Sequence, residues 1–180
     1  MAGEPGSEAP NARSDDLAAR LLAVSELHGD FVLSSGRRSS VYFDKFRFLA
    51  DPALLREVAG RVRELLPAGV THLAAPEGAA ILLLAAVALE TGLPMIVVRK
   101  EAKAYGTRTQ VEGYAEPGAV VALIEDVSTT GHQVGRAAKA VEAHGCTVAC
   151  IILALDRGGA DQLRAAGYEV EAVVSVSSAE

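Results

Sequence analysis

Aromatic residues are scarce in this chain: they make up 4% of it, four Phe and four Tyr, with no Trp. A core without bulky rings must be filled by the aliphatic residues that bring the hydrophobic share to 50%. Ala, Val and Leu do this most readily between helices and a parallel sheet, so an α/β class is expected and an all-β sandwich is disfavoured. Cysteine is scarcer still. Cys146 and Cys150 lie four residues apart in one predicted strand, on one face and roughly 13 Å from each other at strand rise. That is too far for a disulfide, and core packing is their expected role. There is no CxxC spacing, no basic leader and no uninterrupted apolar run of spanning length. The expectation is a reduced, cytoplasmic chain without a membrane span.

Positive charge is in deficit, 17 Lys and Arg against 23 Asp and Glu, for a net −6. This speaks against a general nucleic-acid or membrane surface, and any anion site must be local. Several motifs are missing as well. No GxxxxGK(S/T) occurs, and no GxGxxG follows a strand, which removes most support for nucleotide triphosphatases and dinucleotide enzymes. No HExxH or GxSxG occurs, and His28, His72, His132 and His144 have no metal-binding spacing; surface or packing roles are expected for His28, His72 and His144.

What is present is alternation. Residues 1–13 are Gly-, Pro-, Ala- and Glu-rich with little to bury and read as a disordered tail. From Ser14, an N-cap candidate, Leu17, Leu21, Val24 and Leu27 recur at helical spacing until Gly29, predicting a first helix. FVLSS, the turn GRRSS and VYFDKFRF predict two short strands, and Asp51-Pro52 opens a helix whose Leu55, Val58, Val62 and Leu65 face inward. Strands are then predicted at VTHLAAP, MIVVR, AVVALIE and VACIILAL. Helices over about 78–90 and 131–143 intervene, and a last helix and strand follow to the end. Crossovers of this length imply βαβ units and a mostly parallel sheet flanked by helices. Residues 14–180 are expected to form one domain, with a small N-terminal hood over about 14–50.

In open α/β sheets ligands bind beyond the carboxyl ends of the strands. Four predicted loops fall there. IEDVSTTG, residues 124–131, ends a buried strand in Glu125 and Asp126 and turns through Ser128, Thr129, Thr130 and Gly131 into a helix. Hydroxyls, amides and a helix dipole there suit one anion, although an acidic strand end before an ordinary cap has the same appearance. VRKEAKAYGTR, residues 98–108, sets Arg99, Lys100, Lys103 and Arg108 against Glu101 alone. It is either a solvated face or a mobile basic loop able to close on a polyphosphate. THLAAPEGAAIL runs through small residues that admit backbone to a ligand or simply pack helix on sheet. ALDRGG brings Asp156 and Arg157 to the same edge.

Together the loops resemble those of the type I phosphoribosyltransferases, and more narrowly the orotate phosphoribosyltransferase family, over nearly the whole chain after the tail. VALIEDVSTTGHQ is similar to the family's signature for phosphoribosyl pyrophosphate (PRPP), RKEAKAYG to its mobile catalytic loop, FVLSSGRRSSVYFD to its substrate hood and LDR to its base-binding strand end. The resemblance implies Mg²⁺-dependent transfer of ribose 5-phosphate from PRPP to orotate, with the metal carried by PRPP rather than by protein ligands. Ser128, Thr129, Thr130, Gly131, His132 and Gln133 would cradle the 5′-phosphate. Glu125 and Asp126 would hold the ribose hydroxyls and stabilise positive charge at C1′, and Arg99, Lys100, Lys103 and Tyr105 would meet the pyrophosphate. Lys103 would be catalytic and reach a partner subunit's site, implying a homodimer. Tyr42, Phe43, Thr129 and Arg157 would hold orotate. The chain departs from the family pattern where Tyr105 replaces His, where Ser34 replaces Lys and at Ala79-Ala80. Transfer to another nucleobase, and a non-catalytic PRPP-sensing regulator, are the alternatives.

Overall fold

VVALIEDVS and TVACIILALD are nearly continuous apolar runs, the pattern of strands covered on both faces. In the computed structural model, which describes residues 12–32, 36, 38–101 and 109–176, they form β6 (Val120–Ser128) and β7 (Thr147–Asp156) at the centre of the main sheet. With β3 (His72–Pro76), β4 (Met95–Val98), β5 (Val111–Glu112) and β8 (Val170–Ser175), they order as β5-β4-β3-β6-β7-β8. All pairs are parallel except β4 with β5. The chain leaves β3 outward to β4, then returns to β6 on β3's other side. The resulting switch point opens a crevice beyond the carboxyl ends of β3 and β6.

Helices cover both faces. On one lie α1 (Ala12–Ser25), α2 (Lys45–Leu49), α3 (Pro52–Glu64) and α4 (Ala80–Thr91), contributing Leu17, Leu21, Phe48, Val58, Val62, Leu83 and Leu84 to one core layer. On the other lie α5 (His132–Ala143) and α6 (Ala160–Ala165), with Val134, Ala138, Val141 and Leu163. Phe48 is the only fully buried aromatic among the described residues, as the aliphatic composition requires. The helix start at Asp51-Pro52 is as expected: the Asp51 side chain accepts from the amides of Ala53 and Leu54, at 2.8 and 3.1 Å. Among the described residues no helix is long and apolar enough to cross a membrane.

The N-terminal third differs from expectation. The first helix already holds Ala12 and Arg13, so Ser14 is interior rather than a cap, and residues 1–11 of the expected tail lie outside the described residues. It also ends at Ser25. Leu27, His28 and Gly29 belong instead to β1 (Glu26–Val32), paired antiparallel with β2 (Arg38–Phe43) in a two-stranded hood. Pairing with β2 overrides the helical spacing, and Gly29 sits where the register shifts between His28 and Phe31, the behaviour of a bulge glycine rather than a helix stop. VYFDKFRF is strand only to Phe43. Asp44 accepts from the Phe46 amide at 3.1 Å and starts α2, which buries Phe48 and Leu49.

The cysteine reading is also corrected. β6 pairs Val121 with Val148 but Ala122 with Cys150, so one extra residue enters β7. A one-residue slip exchanges the faces of a strand. Cys150 therefore packs in the layer under α1–α4 and Cys146 in the layer under α5, both as buried free thiols.

Candidate active site

β6 runs three residues past its expected end at Glu125 and reaches Ser128. Glu125 and Asp126 consequently do not emerge at an exposed edge; they are 3% and 0% exposed. Strand alternation sends Asp126 to the side of Ala122 and Ile124, under α1–α4. There Oδ1 of Asp126 accepts from Lys45 Nζ at 2.9 Å and from the Val127 amide at 2.6 Å. The Asp126 amide donates to Glu125 Oε1 at 3.2 Å. Oδ2 of Asp126 is buried with no hydrogen-bond partner. Such an atom costs about 1–3 kcal/mol when left unpaired, and a ligand hydroxyl would remove that cost. Burial, reinforced by the neighbouring Asp126 charge and hydrogen bond and opposed by Lys45, pushes the Glu125 carboxyl up to about 8.

The turn after β6 is shaped by contact with the turn after β7. The Gly131 amide donates to Ser128 Oγ at 3.2 Å, and Gly131 adopts φ 70°. A Cβ there would lie 2.8 Å from the Gly159 carbonyl and 2.9 Å from Leu163 Cγ, so only glycine fits. α5 then starts with no side-chain cap, leaving its first amides open for an anion. Thr129, Thr130 and His132 are exposed and Gln133 is half-buried. The hydroxyls, open amides and buried acids are thus consecutive along one strand-to-helix turn.

Asp156 accepts from the amides of Gly158, Gly159 and Ala160, at 3.0, 2.8 and 3.1 Å. It is a fixed loop anchor rather than half of a solvated pair. Arg157 donates its amide to the Ser128 carbonyl at 2.8 Å and lays its guanidinium 4.9 Å from the Phe43 ring centroid. The structure thus brings Phe43 of the hood and Arg157 together. Tyr42 points the other way along β2 and packs on Phe31, ring centroids 5.5 Å apart, so it does not join Phe43 over one surface.

Arg99 and Lys100 leave β4 under tight backbone control. The Arg99 amide donates to the Gln110 carbonyl at 2.8 Å and the Lys100 amide to Glu77 Oε1 at 3.0 Å. Gln110 returns bonds from Nε2 to the carbonyls of both. The pair lines a cavity of about 300 Å³ with Gln133, Arg136 and Lys139. Arg136 and Lys139 were missed by the sequence reading, although their helical spacing after Gln133 was a signal. Glu77 and Lys45 were also missed, Lys45 because KFRF was read as strand. Ala79 and Ala80 are 4% and 1% exposed and pack into the core, the helix-on-sheet role. Lys103, Tyr105, Arg108 and Ser34 lie outside the described residues. Among the described residues, no group of three or more His, Cys, Asp or Glu could hold a metal ion.

No protein-family model matches the chain. A curated relative from Nocardioides sp., named orotate phosphoribosyltransferase, is 42% identical over 161 residues, covering 88% of this chain and 90% of that protein. Among solved structures, Mycobacterium tuberculosis H37Rv orotate phosphoribosyltransferase in complex with Fe(III) dicitrate superposes with TM-score 0.78 at 29% identity, covering 91% of this chain and 96% of that one. The same enzyme in complex with PRPP gives TM-score 0.74 at 26% identity, covering 90% and 95%.

Proposed function

This chain belongs to the orotate phosphoribosyltransferase family, and we propose that it transfers ribose 5-phosphate from PRPP to N1 of orotate, forming orotidine 5′-monophosphate and pyrophosphate in pyrimidine biosynthesis. One observation carries the residue roles: two buried carboxylates precede an uncapped helix start on the same turn. A sugar phosphate needs opposite partners at its two ends. The open amides of α5, with Ser128, Thr129, Thr130, Gly131, His132 and Gln133, receive the 5′-phosphate. Asp126, through its unpaired Oδ2, and Glu125 take the ribose hydroxyls.

As the C1′–O bond to pyrophosphate lengthens, positive charge grows on the ribose. Glu125 and Asp126 stabilise it, while Arg99, Lys100, Lys103 and Tyr105 stabilise the departing pyrophosphate. Phe43 and Arg157 form the base site, the guanidinium pairing with orotate's carboxylate or carbonyl edge, Thr129 beside them. Tyr42, on the hood's other face against Phe31, is not part of this base site. Mg²⁺ carried in by PRPP would neutralise charge on the pyrophosphate.

We read residues 14–180 as one domain acting in the cytoplasm as a homodimer, with Lys103 serving the partner's site. The outer face of α4 supports self-association, since Leu82, Leu89 and nearby Met95 are exposed at 42, 89 and 42%. A helix apolar all round calls for cover on both sides. The test is orotate absorbance followed with PRPP and Mg²⁺, then without each, and with other nucleobases in place of orotate. Turnover of orotate requiring all components, strongly reduced in Lys103→Ala, is expected. No orotate turnover, or turnover of another base instead, refutes the reading.

A further inference from the structure

The ion pair between Lys45 and Asp126 joins groups 81 residues apart, at 2.9 Å, and its two members differ sharply in exposure: 34% for the lysine side chain and 0% for the aspartate. Lys45 is the first residue of α2, and α2 is held from several sides. Asp44 caps it, the Asp44 amide donates to the Ser25 carbonyl at 2.9 Å, and Phe48 and Leu49 bury its far end. The root of the lysine is therefore fixed, unlike that of a surface lysine on an open helix face.

The bonding at Asp126 is asymmetric. Oδ1 is filled by Lys45 and the Val127 amide, whereas Oδ2 has no partner. With Oδ1 held from two directions, the carboxylate plane is set and Oδ2 stays free. Beside Lys45, the Glu125 carboxyl acts on Asp126 by charge and hydrogen bond. β3 brings Ala74, Ala75 and Pro76 alongside β6, and β7 brings Leu153, Ala154 and Leu155. Asp156 is engaged with three amides, Arg157 rests on Phe43, and Arg47 reaches the Val24 carbonyl at 3.4 Å. On α5, His132 is exposed; α1 ends at Ser25, whose side chain is buried.

We propose that Lys45 is a positioning residue for the ribose-binding acids: from the end of the hood it holds the Asp126 carboxylate in place through Oδ1, with Oδ2 presented to the sugar. Two adjacent buried carboxylates resist ionising together. Burial first, and then the Asp126 charge beside it, raise the Glu125 carboxyl, and the Lys45 ammonium fixed on that pair acts in the opposing direction. The inference rests on the phosphoribosyl-transfer reading for its kinetic consequence, not for its electrostatic one.

The test compares wild type with Lys45→Met and Lys45→Arg. Removing the cation removes this opposing effect, so the Glu125 carboxyl binds its proton more tightly. The acid limb of the kcat/KM profile for PRPP should therefore move up by about one pH unit in Lys45→Met, with kcat/KM at pH 7 lower by about tenfold, the factor one pKa unit represents. KM for orotate should change little, and Lys45→Arg should keep the wild-type limb. A second readout needs no turnover: the infrared carboxyl bands of the empty protein, titrated from pH 5 to 9 and assigned with Glu125→Gln, should shift upward in Lys45→Met only. If Lys45→Met does not fold, Lys45→Gln keeps a donor to Oδ1 without the charge and should show the same shift. A wild-type acid limb and titration in the neutral variants would overturn the proposal, as would equal shifts in Lys45→Arg and Lys45→Met. Absence of orotate turnover in wild type would refute the functional reading instead, and the infrared titration would still decide on Lys45.

Discussion

Replacing Gly131 tests the link between backbone shape and phosphate binding most directly. Alanine there meets two separate obstacles. At φ 70° an L-residue in the left-handed region costs about 1–2 kcal/mol. Its Cβ would also lie 2.8 Å from the Gly159 carbonyl and 2.9 Å from Leu163 Cγ, and overpacking of this kind costs about 1–3 kcal/mol. The first neighbour is backbone and cannot swing aside. Together the two terms give about 2–5 kcal/mol, which for a chain of this size lowers Tm by about 4–20 °C. If the turn relaxes to avoid the clash, the open amides of α5 move with it, and KM for PRPP should rise more than KM for orotate. Gly131→Asn separates the causes, because asparagine tolerates the left-handed region but keeps the Cβ. It should be nearly as destabilised as Gly131→Ala. Thermal unfolding and steady-state kinetics on both variants check this. A Gly131→Ala protein melting within about 2 °C of wild type, with unchanged KM for PRPP, would refute the argument.

The raised Glu125 carboxyl makes stability depend on pH in a definite direction. The folded protein holds this proton more tightly than the unfolded chain does, so the group's stabilising contribution is full below the ordinary carboxylate range. It is lost as pH rises towards about 8. Urea midpoints between pH 5 and 9 should show this loss in the wild type and not in Glu125→Gln. Phe43→Ala removes the ring under the Arg157 guanidinium. It should cost about 0.5–1 kcal/mol for the cation–π contact at this partly exposed site and raise KM for orotate, read by denaturation and kinetics; an unchanged KM would separate Phe43 from the base site.

Much of the fold can be read directly from the chain. Long apolar runs at residues 120–124 and 148–155 mark buried parallel strands, Asp51-Pro52 marks a helix start, and Gly92 stops α4 in the left-handed region at φ 72°. Each of these is a local event, decided by a few neighbouring residues. The hood resists such reading for the opposite reason. Leu17, Leu21, Val24 and Leu27 keep one helical spacing, and only pairing of Leu27 with Tyr42 makes the last of them a strand residue. Partners supplied from elsewhere in the chain outweigh local periodicity.

The same division holds at the site. The order of acids, hydroxyls and glycine in IEDVSTTG already specifies a turn with carboxylates at one end and open amides at the other, since chain continuity keeps them adjacent. Whether those acids are exposed or buried, charged or protonated, is set by what packs around them. Lys45 against Asp126, Arg157 over Phe43 and the Gly159 carbonyl against Gly131 are contacts across distant parts of the chain. Burial removes water and strengthens every charge interaction that remains, and the sheet order and two helix layers that cause it exist only once the chain has folded.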